Sequence, residues 1–191
     1  DIIRDAWSWR FEVIRKSTEG DKMKKNFDEC LKMLLTHEGG YVNDPRDSGG
    51  RTNLGMTQAV YEQFLGRAVT EDEMKALTPA DVGPVYKANY WDKCRCDDLP
   101  SGLDWSVFDW AVNSGTGRSA KALQRVIACK PDGAIGPATL KAVSDFEPMD
   151  LIEKMFDARQ HFYENLKQFD IYGSGWSRRN KETLEQALDM A

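Results

Sequence analysis

The chain has 191 residues and a mass of 21.7 kDa, enough to bury one sizeable core without requiring a second domain. Its 41% hydrophobic and 30% charged residues are ordinary for a soluble protein, and no apolar run approaches the roughly 20 residues of a membrane span. A net charge of −5 and a pI near 5.2 argue against a nucleic-acid binder, which needs a strong basic patch, and provide no long-range attraction to an anionic surface.

Residues 1–25 place Trp7, Phe11 and Ile14 on one helical face and end in a polar, turn-like stretch. They read as an N-terminal extension or linker, with a helix docked on the core favoured over a membrane anchor because Asp5, Glu12 and Glu19 dilute any basic face. No secretory signal pattern is visible. The first strongly periodic run follows: Phe27, Cys30, Leu31, Leu34 and Leu35 recur at helical spacing, and Gly39-Gly40 reads as its left-handed stop.

Beyond a Gly-rich segment, Thr57 is an N-cap for a helix that Gly66 ends, and Thr70 with Glu73 forms a capping box. Thr78-Pro79 opens a helix running toward Trp91, which Pro84 is expected to kink or split. Leu103 to Val112 is apolar nearly all round and predicts a central buried helix ending at Asn113-Ser114-Gly115. Further helices are expected over Gly117–Cys129, Ala138–Phe146 and Pro148 to about Phe169. Tyr172 to Trp176 reads as a loop before a last helix, Ser177–Leu188. The fold class is mostly α, with a small loop or hairpin region between Tyr41 and Met56. Cys30, Cys94, Cys96 and Cys129 are expected as free thiols, a disulfide being the alternative, and neither they nor His37 and His161 show metal-ligand spacing.

The stretch Thr36 to Thr57, THEGGYVNDPRDSGGRTNLGMT, concentrates polar groups between two apolar runs. Glu38 follows Leu34 by four residues and so continues the buried stripe to the helix end. Partial desolvation and the negative end of the helix dipole favour the neutral acid there, as a glycosidase general acid requires. A solvated helix-terminal Glu is the bland alternative. Asp47 orients or activates a water, or else braces the loop as an Asx-turn. Thr52 positions the water through its hydroxyl, or else bonds the loop backbone. Tyr41, Asn43, Asn53 and Asn113 offer flat faces or paired donors and acceptors to a saccharide, with a helix-end cap as the alternative for Asn113. Trp91, Trp105, Trp110 and Trp176 either stack on sugars or sit in the core.

Glu, Asp and Thr at this spacing resemble the catalytic pattern of phage-type lysozymes, with one residue fewer before the Thr. The block HEGGYVNDPRDSGGRTNLGMT resembles the signature of the glycoside hydrolase family 108 muramidases, which include phage endolysins and secretion-associated lysozymes. YWDKCRCDDLPSGLDWSVFDWAVNSG is similar to that family's second block, and ALQRVIACKPDGAIGPATL to the peptidoglycan-binding type 3 segment. The resemblance implies a lysozyme-like helical fold, with a lysozyme-like catalytic region at 26–114 and a peptidoglycan-binding type 3-like region at 115–191 packed into the same body. It also implies a muramidase acting on peptidoglycan glycan strands, with Glu38 as general acid, Asp47 and Thr52 assisting, and no cofactor or metal. A lytic transglycosylase is the close rival. A chitinase or chitosanase of similar fold and a non-catalytic wall-binding module are weaker ones. The chain is expected to be a monomer made in the cytoplasm and acting in the periplasm. It would reach the wall through a holin or a dedicated secretion machine, and an effector would imply an immunity protein.

Overall fold

The computed structural model describes residues 26–43 and 50–191. Helix α1 (26–37) forms where the periodic run predicts it, burying Phe27, Cys30, Leu31 and Leu34 and exposing Asp28, Glu29 and Lys32. Its end differs from the expectation: neither Gly39 nor Gly40 is among the left-handed residues. The chain leaves the helix extended instead, and Val42 pairs with Thr52 through two backbone hydrogen bonds of 2.8 and 2.9 Å.

Strands β1 (Thr52–Asn53) and β2 (Met56–Thr57) make a two-stranded antiparallel hairpin in which Thr52 faces Thr57 and Asn53 faces Met56. Leu54 and Gly55 form its two-residue loop at φ 51° and 70°, the positive values a tight hairpin needs to match the strand twist. Thr57 then caps α2 (Gln58–Leu65), accepting the Val60 N–H, and left-handed Gly66 ends that helix. α2 has no buried residue. The capping box of α3 (Glu71–Lys75) is present in both directions, between Thr70 and Glu73.

α4 (Pro79–Tyr86) continues through Pro84 rather than splitting there. The backbone widens just afterwards into a π-turn, Lys87–Trp91, a geometry that re-aims side chains and recurs at functional sites. A 3-10 turn (Cys96–Asp98) leads to α5 (Leu103–Ser114), in which every residue from Leu103 to Ala111 is buried. α6 (Thr116–Val126) and α8 (Pro148–Glu164) pack on α5, with the short α7 (Pro137–Val143) between them in sequence. Between α6 and α7, the Asp132 carboxylate accepts from Gln124 and from the Ala134 N–H, tying the expected turn back to α6.

α8 stops short of Phe169 because the Asn165 amide donates to the His161 carbonyl at 2.7 Å and satisfies its last turn. The expected loop at Tyr172–Trp176 is instead helical, part of α9 (Phe169–Met190). Gly173 permits this: a Cβ there would stand 2.6 Å from the Phe169 ring, which packs across the helix in that space. Glycine costs about 1 kcal/mol in a helix, and docking of α9 against α8 and α5 outweighs it.

A single buried cluster runs from Phe27 on α1 to Ala187 on α9. Its centre is aromatic: Trp91 meets Phe27 and Phe108 edge-on, each at 5.3 Å. Each such side chain contributes about 1.5–3 kcal/mol through burial alone. Among the described residues the class is mostly α with one small hairpin, and no helix is long and apolar enough to cross a membrane.

Candidate active site

Glu38 sits one residue past the end of α1, its side chain 21% exposed, at the floor of a cleft of about 290 Å³. The hairpin supplies one wall through Gly55, Met56 and Thr57. Val60 of α2, Tyr86 of α4, Tyr90 of the π-turn, Val112 and Asn113 of α5 and Arg179 of α9 supply the rest. The hairpin loop passes directly over the carboxylate: a Cβ on Gly55 would lie 2.6 Å from both Glu38 Oε2 and the Tyr86 hydroxyl oxygen. Tyr86 holds the loop there by donating to the Leu54 carbonyl at 2.9 Å. Burial, and then the Glu38 charge, push the Tyr86 phenol up, so it stays a donor.

The cation in the cleft comes from the far end of the chain. Arg179 Nη1 lies 3.5 Å from Glu38 Oε1, while its Nη2 donates to Asp109 Oδ1 at 2.7 Å. Asp109 is fully buried on α5 and also accepts from Arg159 at 2.7 Å and from Thr183 at 3.2 Å. Burial alone would raise the Asp109 carboxyl, but the guanidinium groups of Arg159 and Arg179 outweigh it and hold it down at about 2. Because Arg179 is closer to Asp109 than to Glu38, its charge is largely committed to Asp109. Asp109 is also shared with Arg159, so the three groups together keep one net positive charge beside Glu38. Arg159 also donates to the Tyr163 hydroxyl at 2.8 Å, which in turn donates to Asn113 Oδ1 at 3.1 Å. A buried network thus sets two cleft residues, Arg179 and Asn113, from behind.

Of the residues singled out in the sequence, Glu38 and Asn113 line the cleft. Asn53 is buried, its amide donating to the Met74 carbonyl at 2.8 Å. Tyr41 donates to Glu71 at 3.0 Å with Lys75 over its ring, and Asn43 is exposed. Thr52 lies on the hairpin opposite Thr57, on the same face, and it is Thr57 that lines the cleft. Asp47, like the extension 1–25, lies outside the described residues. Arg179, Tyr86 and Gly55 were not anticipated. Only Gly55 had a local signal, as the second residue of a two-residue hairpin loop. The cleft continues past Val60 and Tyr90 into a hollow of about 580 Å³ lined also by Phe64, Asn89 and Lys93.

The family model for glycosyl hydrolase 108 matches residues 31–115, which hold the second half of α1, the hairpin and α5. The chain is also 38% identical to a solved structure described as Brucella abortus SagA, over 87% of this chain and 96% of that one, with a TM-score of 0.77. The chain belongs to glycosyl hydrolase family 108. Its fold is the mostly helical, lysozyme-like one, and it is a glycoside hydrolase of lysozyme type acting on peptidoglycan of the cell wall. A second model, described as a predicted peptidoglycan domain, matches residues 118–181 and so includes Arg159 and Arg179. No curated protein matches the chain. In this member of family 108 the second segment reaches into the cleft of the first, since Arg179 lines it beside Glu38.

Proposed function

We propose that the chain is a muramidase that hydrolyses the β-1,4 bond between N-acetylmuramic acid and N-acetylglucosamine, with Glu38 as general acid. The observation that carries this reading is the confinement of Glu38 between the Gly55 loop, the Tyr86 hydroxyl and Arg179 in an open cleft. A partly buried carboxyl that opens into the cleft can reach a glycosidic oxygen and protonate it as the bond to the anomeric carbon breaks. Glu38 becomes anionic in that step, and the Arg179 guanidinium, 3.5 Å away and fixed by Asp109, is already placed beside the new charge without reorganising. In this scheme Asp47 activates the water that attacks the anomeric carbon, and Thr52, beside Thr57 on the hairpin face, helps to orient it. We propose further that 26–114 and 115–191 work as one catalytic body, that the chain acts as a monomer, and that it reaches the periplasmic wall through a holin or a dedicated secretion machine.

A second reading, lytic transglycosylation, is favoured by one observation: among the described residues Glu38 is the only carboxylate lining the cleft. A single acid suffices when the muramyl 6-hydroxyl displaces the leaving sugar. Product analysis of digested wall separates the two, since hydrolysis releases reducing muramic acid ends and transglycosylation leaves 1,6-anhydro ends. The decisive variant is Glu38→Gln, which keeps the shape and removes the ionisable proton. Wall binding should survive while turnover falls by about 10²-fold or more. Clearing of cell walls by a purified Glu38→Gln protein at the parent rate would end the assignment. Asp47→Ala should also lower turnover severely in a folded protein, and parent-like release of reducing ends would remove Asp47 from the scheme.

A further inference from the structure

Three of the four tryptophans weighed as sugar contacts, Trp91, Trp105 and Trp110, are buried in the core. The fourth, Trp176, lies half-buried on α9. Because the Tyr172–Trp176 segment is helical, Tyr172, Trp176 and Arg179 fall at i, i+4 and i+7 and share one face. Arg179 ends that stripe inside the cleft, beside Glu38. Trp176 stacks on Tyr163 at 5.5 Å, and Tyr163 bonds the cleft residue Asn113. Tyr172 stacks on Trp176 at 5.7 Å and is 56% exposed. An aromatic pair therefore lies along the α9 face that ends at Arg179, up to about 10 Å of helix rise from it.

We propose that Tyr172 and Trp176 form a stacking track that extends the cleft, and that its occupant is the glycan strand of peptidoglycan. This rests on reading the cleft as the site of glycan cleavage. A pyranose ring presents a flat face of C–H groups, weakly positive and apolar, that matches the negative face of an aromatic ring, while its hydroxyl rim stays in water. A polymer threaded past Glu38 has to leave over some surface, and this one shares a helix face with the cleft residue Arg179. The chain carries a net charge of −5, which gives it no long-range attraction to an anionic membrane. Both aromatic residues fall within the segment matched as a peptidoglycan domain.

The test uses Glu38→Gln to measure binding without cleavage. Co-sedimentation with purified sacculi should weaken about tenfold when Tyr172→Ala is added, the scale of one aromatic stacking contact, and Tyr172→Trp should restore it. Trp176→Ala should weaken binding similarly. With Glu38 intact, Tyr172→Ala should lower the preference for long over short glycan strands, through a raised KM on the long ones. The same loss must appear on glycan strands stripped of stem peptides. A loss confined to stem-bearing walls would make the track a peptide site, and a loss that follows a change of oligomeric state would make it a contact between copies. Either result overturns the proposal, as does unchanged binding. A chain that binds through Tyr172 but releases no sugar ends sinks the cleavage reading alone. One that cleaves without dependence on Tyr172 or Trp176 sinks the track alone.

Discussion

The hairpin loop passes over Glu38 at Gly55, where there is no room for a Cβ. At φ 70° this glycine is left-handed, and a Cβ on it would stand 2.6 Å from the Glu38 carboxylate oxygen. Gly55→Ala therefore combines backbone strain with displacement of the Glu38 carboxyl and of the Tyr86 hydroxyl from its bond to Leu54. We expect a stability loss of about 1–3 kcal/mol and, in the folded fraction, a turnover reduced by about 10²-fold. Thermal unfolding and release of reducing ends from cell walls check the two parts. Parent-like activity in Gly55→Ala would mean that the loop does not set the position of Glu38.

Arg179 bridges Glu38 and Asp109 with different nitrogens of one planar fork. Lysine carries the same charge but has a single head group and cannot hold both contacts. Arg179→Lys should fold, because it still pairs the buried Asp109 carboxylate, yet lose about tenfold or more in turnover. Comparing kcat with KM on a defined glycan locates the effect: a fall in kcat marks an altered Glu38 environment.

The Asp109 carboxyl is held at about 2, below its ordinary 3.8. A depressed acid contributes stability that is full above about pH 4 and is lost as pH falls toward 2. For this fully buried group the contribution is on the order of 2 kcal/mol. The melting temperature should therefore fall steeply between pH 4 and pH 2. Asp109→Asn should destabilise the protein at neutral pH by about 3–5 kcal/mol, since it leaves the buried Arg159 guanidinium without its carboxylate, and should flatten that acid limb. An acid limb of equal depth in Asp109→Asn would assign it to other carboxylates.

All four cysteines are free; Cys30, Cys94 and Cys96 are buried and Cys129 is partly exposed. Burial first, and nearby carboxylates or the neighbouring thiol second, push Cys30 and Cys96 up, away from the reactive thiolate. A chromogenic thiol reagent should modify Cys129 alone in the native protein and all four after unfolding. Fast modification of two or more thiols under native conditions would contradict the packing around Cys94 and Cys96.

Local pattern was enough to place α1, the capped helices α2 and α3, the buried α5 and the carboxylate at the end of α1. These follow from helical periodicity, capping side chains and turn residues, all of which act over a few positions. Glu38 was legible because it lies four residues beyond Leu34 on a stripe whose direction the helix sets. The loop expected at Tyr172–Trp176 failed for the complementary reason. Two glycines argue locally against a helix, and only the Phe169 ring and the docking of α9 on α8 and α5 reverse that preference. The cleft itself was decided by tertiary structure. Arg179, Tyr86, Asn113 and Gly55 come from four separate elements, and contact with Glu38 depends on how those elements pack. No short-range rule links an arginine in the last helix to a glutamate at the end of the first. A buried Asp109 between two arginines does link them, because a charge removed from water is stable only where the fold brings its partners.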